Sequence, residues 1–244
     1  MDGNDERYKQ LQESLQNMQG QFHVLETSVP IEKQMEYFRY SENVRKKEKD
    51  SLQSIEESIQ NLNSTETSEE GKKYAMTLLA ISEDVKAYRA LEAYTLNSEE
   101  NLKDWARMSF LQAKITLESG FLEEKQIFIS TGLGGKGDML RFFAFVKSTD
   151  LLPFSPYQIQ LIKKELPFFI NKKQGHIEEL KVFENYFTLI FLINIKVDIK
   201  KIIENVLAEC NQYGDFIDQS FIITNVKIFS EDEIQKELKR NSQE

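Results

Sequence analysis

The hydrophobic period of this chain changes once, near residue 125, and that change limits the folds open to it. Before it, apolar residues recur at spacings of three and four, the repeat of a helix face. After it come short runs of Phe, Ile, Leu and Val broken by turn residues, the mark of strands. Of 17 Phe residues, 13 fall within 126–230. Charge divides at the same place. Residues 1–125 hold 24 acids and 16 bases, residues 126–230 hold 11 and 12, and residues 231–244 hold 5 and 3. Two compositions within 244 residues predict two domains, with a boundary near 120–126 where Ser119-Gly120 suits a helix end.

In the first half, Tyr8, Leu11, Leu15, Met18, Phe22 and Leu25 form a short heptad seam. Such a narrow stripe predicts a helix over 6–28 that packs on a partner helix, within the chain or in another chain. Pro30 then ends this helix or opens the next. A second long helix is expected over 31–62, with one apolar patch at Ile31, Met35 and Phe38 and another at Leu52, Ile55, Ile59 and Leu62. The basic run from Arg45 to Lys49 lies between them, so this helix either projects into solvent or breaks there. Residues 63–70 are a polar linker in which Thr67 and Glu70 fit a capping box. Three helices follow: one over 69–81, one after Ser82, and one after Ser98 that carries Trp105 on its apolar face. Short loops between them predict antiparallel neighbours, in hairpins or a bundle.

In the second half, Ile127-Phe128-Ile129 and Met139–Lys147 read as strands. Ser155-Pro156 opens a helix that Pro167 should kink or end. Strands are expected at 177–186 and 187–195, and Asp198 caps a helix that closes at Gly214. A last strand is expected over Phe221–Phe229, and Ser230 with Glu233 caps a short helix over 231–240. From Met139 the order is β-α-β-β-α-β, the ferredoxin-like arrangement, with 126–132 as an extra edge strand hairpinned to the first. The fold class is therefore α+β: helical hairpins or a bundle, then a ferredoxin-like domain. The expected divisions are 1–62, 63–122, 123–230 and 231–244.

The most distinctive motif is Thr131-Gly-Leu-Gly-Gly-Lys-Gly-Asp138. Glycines after a strand can turn backbone amides toward an anion, so Gly132, Gly134, Gly135, Lys136 and Gly137 are candidate phosphate ligands. The spacing Gly132-x-Gly134-x-x-Gly137 fits a dinucleotide fingerprint, but a strand follows where that motif needs a helix, and no P-loop Ser or Thr follows Lys136. The same stretch resembles the Gly-rich loop of tubulin-like GTPases, a fold for which the chain is too short. The bland alternative is a hairpin loop whose glycines supply positive φ.

Arg141-Phe142-Phe143-Ala144-Phe145-Val146 resembles the RNP1 segment of RNA-recognition domains, and Ile127-Phe128-Ile129 resembles the start of RNP2. The pattern departs at Phe142, where that family has Gly, and at Ser148, where it has an aromatic. The two segments are also too close together for a helix and a strand to fit between them. The resemblance implies base stacking on strand aromatics. A net basic stretch over 136–173, with Lys136, Arg141, Lys147, Lys163, Lys164, Lys172 and Lys173, favours the same partner class.

Other chemistry is sparse. One cysteine, Cys210, excludes a disulfide framework and a Cys-rich zinc site. Two histidines, His23 and His176, form no catalytic set with Ser, Cys or Asp at readable spacing. No metal or cofactor is expected. There is no apolar run of membrane-spanning length and no secretory leader pattern, so a cytoplasmic protein is expected. The acidic first half argues against DNA binding as its task, because phosphate contacts need a surplus of Lys and Arg. The leading expectation is a non-enzymatic interaction or adaptor protein whose helical region recruits a protein partner or self-associates. The alternatives are a phosphate- or nucleotide-sensing module at Gly132–Asp138, and an RNA- or ribosome-associated factor using the basic 136–173 face.

Overall fold

The computed structural model describes residues 21–47, 54–121, 126–129 and 131–240. It is a mixed helix-and-sheet protein, and the described residues divide into two compact units, 21–129 and 131–240.

The first unit begins with strand β1 (Gln21–Val24) and ends with β2 (Gln126–Ile129), which pair in parallel with Gln21 opposite Gln126. Leu25 N–H extends the pairing by donating to Ile129 O at 3.0 Å. The helix expected over 6–28 is thus corrected at its end: Phe22 lies in a strand, and Leu25 is buried in the core of its own unit. A stripe of two and a half heptads is too short to outweigh this pairing. Tyr8, Leu11, Leu15 and Met18 lie outside the described residues.

Between the strands the described residues form five helices: α1 (Ile31–Lys47), α2 (Ile55–Asn63), α3 (Glu69–Ala80), α4 (Val85–Leu96) and α5 (Lys103–Phe121). The helix expected over 31–62 is two helices, the second capped by Ser54, which accepts Glu57 N–H at 3.1 Å. Leu52 lies outside the described residues. The cap of α3 is Ser68, not Thr67: its hydroxyl accepts Gly71 N–H at 3.2 Å. Asp84 caps α4, and a 3-10 turn at Glu100–Leu102 leads into α5. Helix α5 runs through Ser119-Gly120 to Phe121.

The core gathers on Trp105, whose indole N–H donates to Lys73 O at 3.2 Å. The rings of Tyr37 and Tyr40 meet it edge-on at 5.2 and 5.1 Å. Leu62, Met76, Leu79, Leu91, Leu102 and Met108 fill the rest. Each such side chain contributes about 1.5–3 kcal/mol on burial.

The second unit is one sheet with three helices. Its strands are β3 (Gly135–Lys136), β4 (Met139–Ser148), β5 (His176–Val182), β6 (Tyr186–Asn194) and β7 (Ile217–Thr224). The hydrogen-bonded order is β3-β4-β6-β5, with β7 also on β4, and all these pairs are antiparallel. Helix α6 (Pro156–Lys172) joins β4 to β5, and α7 (Ile199–Asn211) joins β6 to β7.

Three local signals behave as their chemistry requires. Ser155 and Gln158 close a reciprocal capping box behind Pro156. Asp198 accepts Lys201 N–H at 3.1 Å. Ser230 and Glu233 cap α8 (Glu231–Arg240). Pro167 lies inside α6 without ending it. Leu166 before it and Ile170 one turn after it are buried, and their burial offsets the lost backbone bond.

Two expectations about strands are corrected. Residues 126–129 do not hairpin with β4 but pair with β1 in the other unit, and the hairpin neighbour of β4 is the two-residue β3. The last strand is Ile217–Thr224 rather than 221–229. A register shift between Val146 and Ser148 lets Ser148 pair with Ile217, and the chain leaves the sheet after Thr224. Freed from the sheet, Phe229 packs on Phe143 with ring centroids 5.3 Å apart.

The alternation of β4 gives the sheet two unlike faces. Phe142, Ala144 and Val146 belong to an apolar face with Phe187, Leu189 and Phe191, all buried. The other face carries Phe143 and Phe145, covered by Ile234 and Leu238 of α8.

Candidate functional site

The glycine motif resolves into structural roles. Gly132 lies so close to the 226 peptide that an added Cβ would sit 1.8 Å from Val226 O. Leu133 N–H donates to Asn225 O at 3.0 Å, and Gly134 N–H donates to Thr131 O at 3.1 Å. Gly134 and Gly137 adopt φ of +66° and +60°. Gly135 and Lys136 form β3, paired with Leu140 and Met139. Two amides that an anion would need therefore serve chain carbonyls. Lys136 is exposed.

Arg141 anchors the same corner. Its guanidinium donates to both carboxylate oxygens of Glu178, the Nη2 bond at 2.8 Å, and to Leu133 O at 2.8 Å. The Arg141 charge holds the Glu178 carboxyl below the usual carboxylate range, with smaller help from His176 and Lys136.

The segment that resembles RNP1 does not present its aromatics. Phe143 is 1% and Phe145 3% exposed, beneath Ile234 and Leu238. With α8 seated, these two rings are not open to a stacking base. Of the basic residues in 136–173, Lys147 pairs with Asp218 at 3.0 Å, Lys164 with Glu165 at 3.3 Å, and Arg141 with Glu178. Lys163, Lys172 and Lys173 are exposed.

Lys173 also lines a recess of this unit, of about 370 Å³, with Lys196, Val197, Asp198, Lys201, Ile202 and Asn205. Its residues come from three places. Lys173 is the residue that caps the carboxyl end of α6, and its N–H donates to Ile170 O at 3.1 Å. Lys196 follows β6, where its backbone N–H is held by Asn194 Oδ1 at 2.9 Å. Lys201 and Asn205 lie one turn apart on α7.

Among the described lining residues the bases outnumber the acids, and the one acid, Asp198, caps α7. Helix α7 carries Lys200 and Lys201 in its first turn, behind the Asp198 cap that meets the helix dipole.

Only Lys173 of this set was a sequence candidate. Lys196 and Lys201 were missed because they lie outside 136–173. The available signal was the run Lys196-Val-Asp-Ile-Lys200-Lys201, basic at a helix start. Among the described residues, no group of three or more His, Cys, Asp or Glu is placed to hold a metal. No helix among them is long and apolar enough to cross a membrane.

No family model and no curated protein matches this chain. Among solved structures, it is similar to a REP-associated tyrosine transposase bound to a REP hairpin. The TM-score is 0.32 and the identity 9%, over 41% of this chain and 61% of the transposase. It is also similar to a C-terminal segment of the alpha subunit of aIF2 from Pyrococcus abyssi, with TM-score 0.25 and identity 10%, over 81% of this chain and 97% of that one. Neither likeness carries a functional argument at these scores.

Proposed function

We propose that this protein binds a phosphate-bearing partner, with the lysine recess of the second unit as the contact site and a ferredoxin-like arrangement as its scaffold. The arrangement is supported by the order β7-β4-β6-β5 with antiparallel neighbours and two crossing helices. The binding reading rests on one observation: Lys173, Lys196 and Lys201 line one recess, in which Asp198 is the one acid among the described lining residues. Phosphate groups of a nucleotide or of an RNA backbone offer the same chemistry to these ammonium groups.

Fluorescence anisotropy with a labelled oligoribonucleotide, and calorimetry with pyrophosphate, separate the two sources. The double variant Lys173→Ala/Lys201→Ala should lose roughly tenfold or more in affinity, and its salt slope should fall by about one for each phosphate no longer neutralised. Binding of neither ligand, or equal binding by the variant, would reject the proposal.

A second reading, recruitment of a protein partner by the helical unit, is supported by α1, which leaves Met35 and Phe38 about half exposed (49% and 48%). Phe38→Glu should abolish capture of such a partner. Capture unchanged by that substitution would reject this reading.

A further inference from the structure

Helix α8 is small for the surface it covers. Of its ten residues only Ile234 and Leu238 are buried, whereas α6 buries four and α7 six. Those two side chains lie with Phe143 and Phe145, and Tyr186, Ile190, Ile222 and Phe229 pack around them. Apolar surface is left over beside the helix. Tyr186, 5.6 Å from Phe145, stacks on Phe183 with centroids 4.4 Å apart, and Phe183 is 41% exposed. A recess of about 180 Å³ is lined by Phe145, Lys147, Phe221 and Ile222 of the sheet and by Glu237 and Arg240 of the helix. A helix of ten residues is too short to persist in water by itself, so α8 is helical because it is seated.

We infer that α8 is the resident occupant of a helix-binding face, and that an amphipathic helix of a protein partner, with a wider apolar stripe, displaces it. The seated α8 shows what the face accepts: a helix laid across the strands with apolar side chains one turn apart, at i and i+4. A third apolar residue, at the position of Glu237, would fill the recess that α8 leaves open and bury more apolar area. The charges say which helix fits. On the sheet, Arg141 pairs with Glu178, Lys147 with Asp218 and Lys181 with Glu179, and His176 and Lys136 also lie near the Glu178 carboxylate. Those pairs survive when α8 leaves. Glu237 and Arg240 pair within α8 and leave together. Lys227 pairs with Glu233 in the first turn of α8 and loses that partner. An incoming helix with an acid in its first turn restores the pair and meets its own dipole.

Fluorescence anisotropy with a labelled peptide of residues 229–240 tests entry of a helix from outside, on the full chain, with circular dichroism confirming that each variant is folded. The double variant Ile234→Ser/Leu238→Ser no longer holds its own helix on the face, so it should bind the peptide about tenfold or more tighter than the wild type. A peptide carrying Glu237→Leu should bind several-fold tighter than the native peptide. Adding Lys227→Glu to the double variant should weaken binding, and a peptide carrying Glu233→Lys should restore it. On the wild type, an excess of the Glu237→Leu peptide should strip hydrogen-exchange protection from 231–240 while β6 stays protected. No such loss of protection, equal binding by the wild type and the double variant, or no recovery with the reversed pair overturns the inference. A double variant that binds neither peptide but gains affinity for an oligoribonucleotide over the wild type overturns it in favour of a nucleic-acid face. Wild-type chains that dimerise by exchanging α8 overturn it in favour of a second copy.

Discussion

Gly132 and Gly137 are glycines for different reasons, and substitution separates them. At 132 an added Cβ would sit 1.8 Å from a backbone oxygen, so Gly132→Ala must push two segments apart, at a cost of about 1–3 kcal/mol. At 137 nothing lies within 4 Å, but φ is +60°, so Gly137→Ala costs about 1 kcal/mol through backbone conformation alone. Urea denaturation should show the larger drop in midpoint for the 132 variant. Burial pushes the Cys210 thiol up to about 12, so it should react with a thiol reagent only after unfolding. Glu178 titrates below its ordinary 4.5 because of Arg141. The stability it adds is full above 4.5 and is lost as pH falls through the lower folded value. Glu178→Gln should cost less than about 1 kcal/mol at neutral pH, since the pair is partly exposed, and its difference from the wild type should shrink as pH falls below 4.5. The glycine loop stands out in the sequence, but its purpose did not, because Val226 lies far along the chain.

At the scale of elements, the helix starts at Ser155, Asp198 and Ser230 were legible because a cap is made within four residues of chain. Strands were less so, since a strand is defined by a partner. Phe221–Phe229 has the composition of a strand throughout, yet only its first residues meet β4. The patch at Ile31, Met35 and Phe38 shows the same limit: apolar periodicity locates a stripe but does not say what covers it. The lysine recess was hidden because Lys173 and Lys201 belong to different helices. Helix α8 rests on the sheet through Ile234 and Leu238. Leu238→Ala should loosen it by about 2 kcal/mol or more, and hydrogen exchange along β4 should then rise around Phe143 and Phe145 before the unit unfolds globally.

At the scale of the whole molecule, a net charge of −9 sets the terms on which the proposed phosphate partner would be met. Long-range fields would repel it, attraction would be confined to the recess, and added salt would weaken both. Pyrophosphate at a hundredfold excess over its dissociation constant should stabilise the folded chain by about 2.7 kcal/mol, and the Lys173→Ala/Lys201→Ala variant should lose this gain in a thermal melt. The parallel pairing of β1 with β2 has a different kind of consequence. It joins the first strand of the helical unit to its last, closing a loop of roughly a hundred residues at an entropic cost of about 4 kcal/mol. So short a ladder cannot meet that cost alone, which makes it the last part of the unit to form and the first to open. Entrance and exit of the unit are thereby neighbours, as in a segment that can be spliced into a host chain without stretching it. New chain ends cut into one of its helix-to-helix loops, with the old ends at 21 and 129 linked, should leave its core intact.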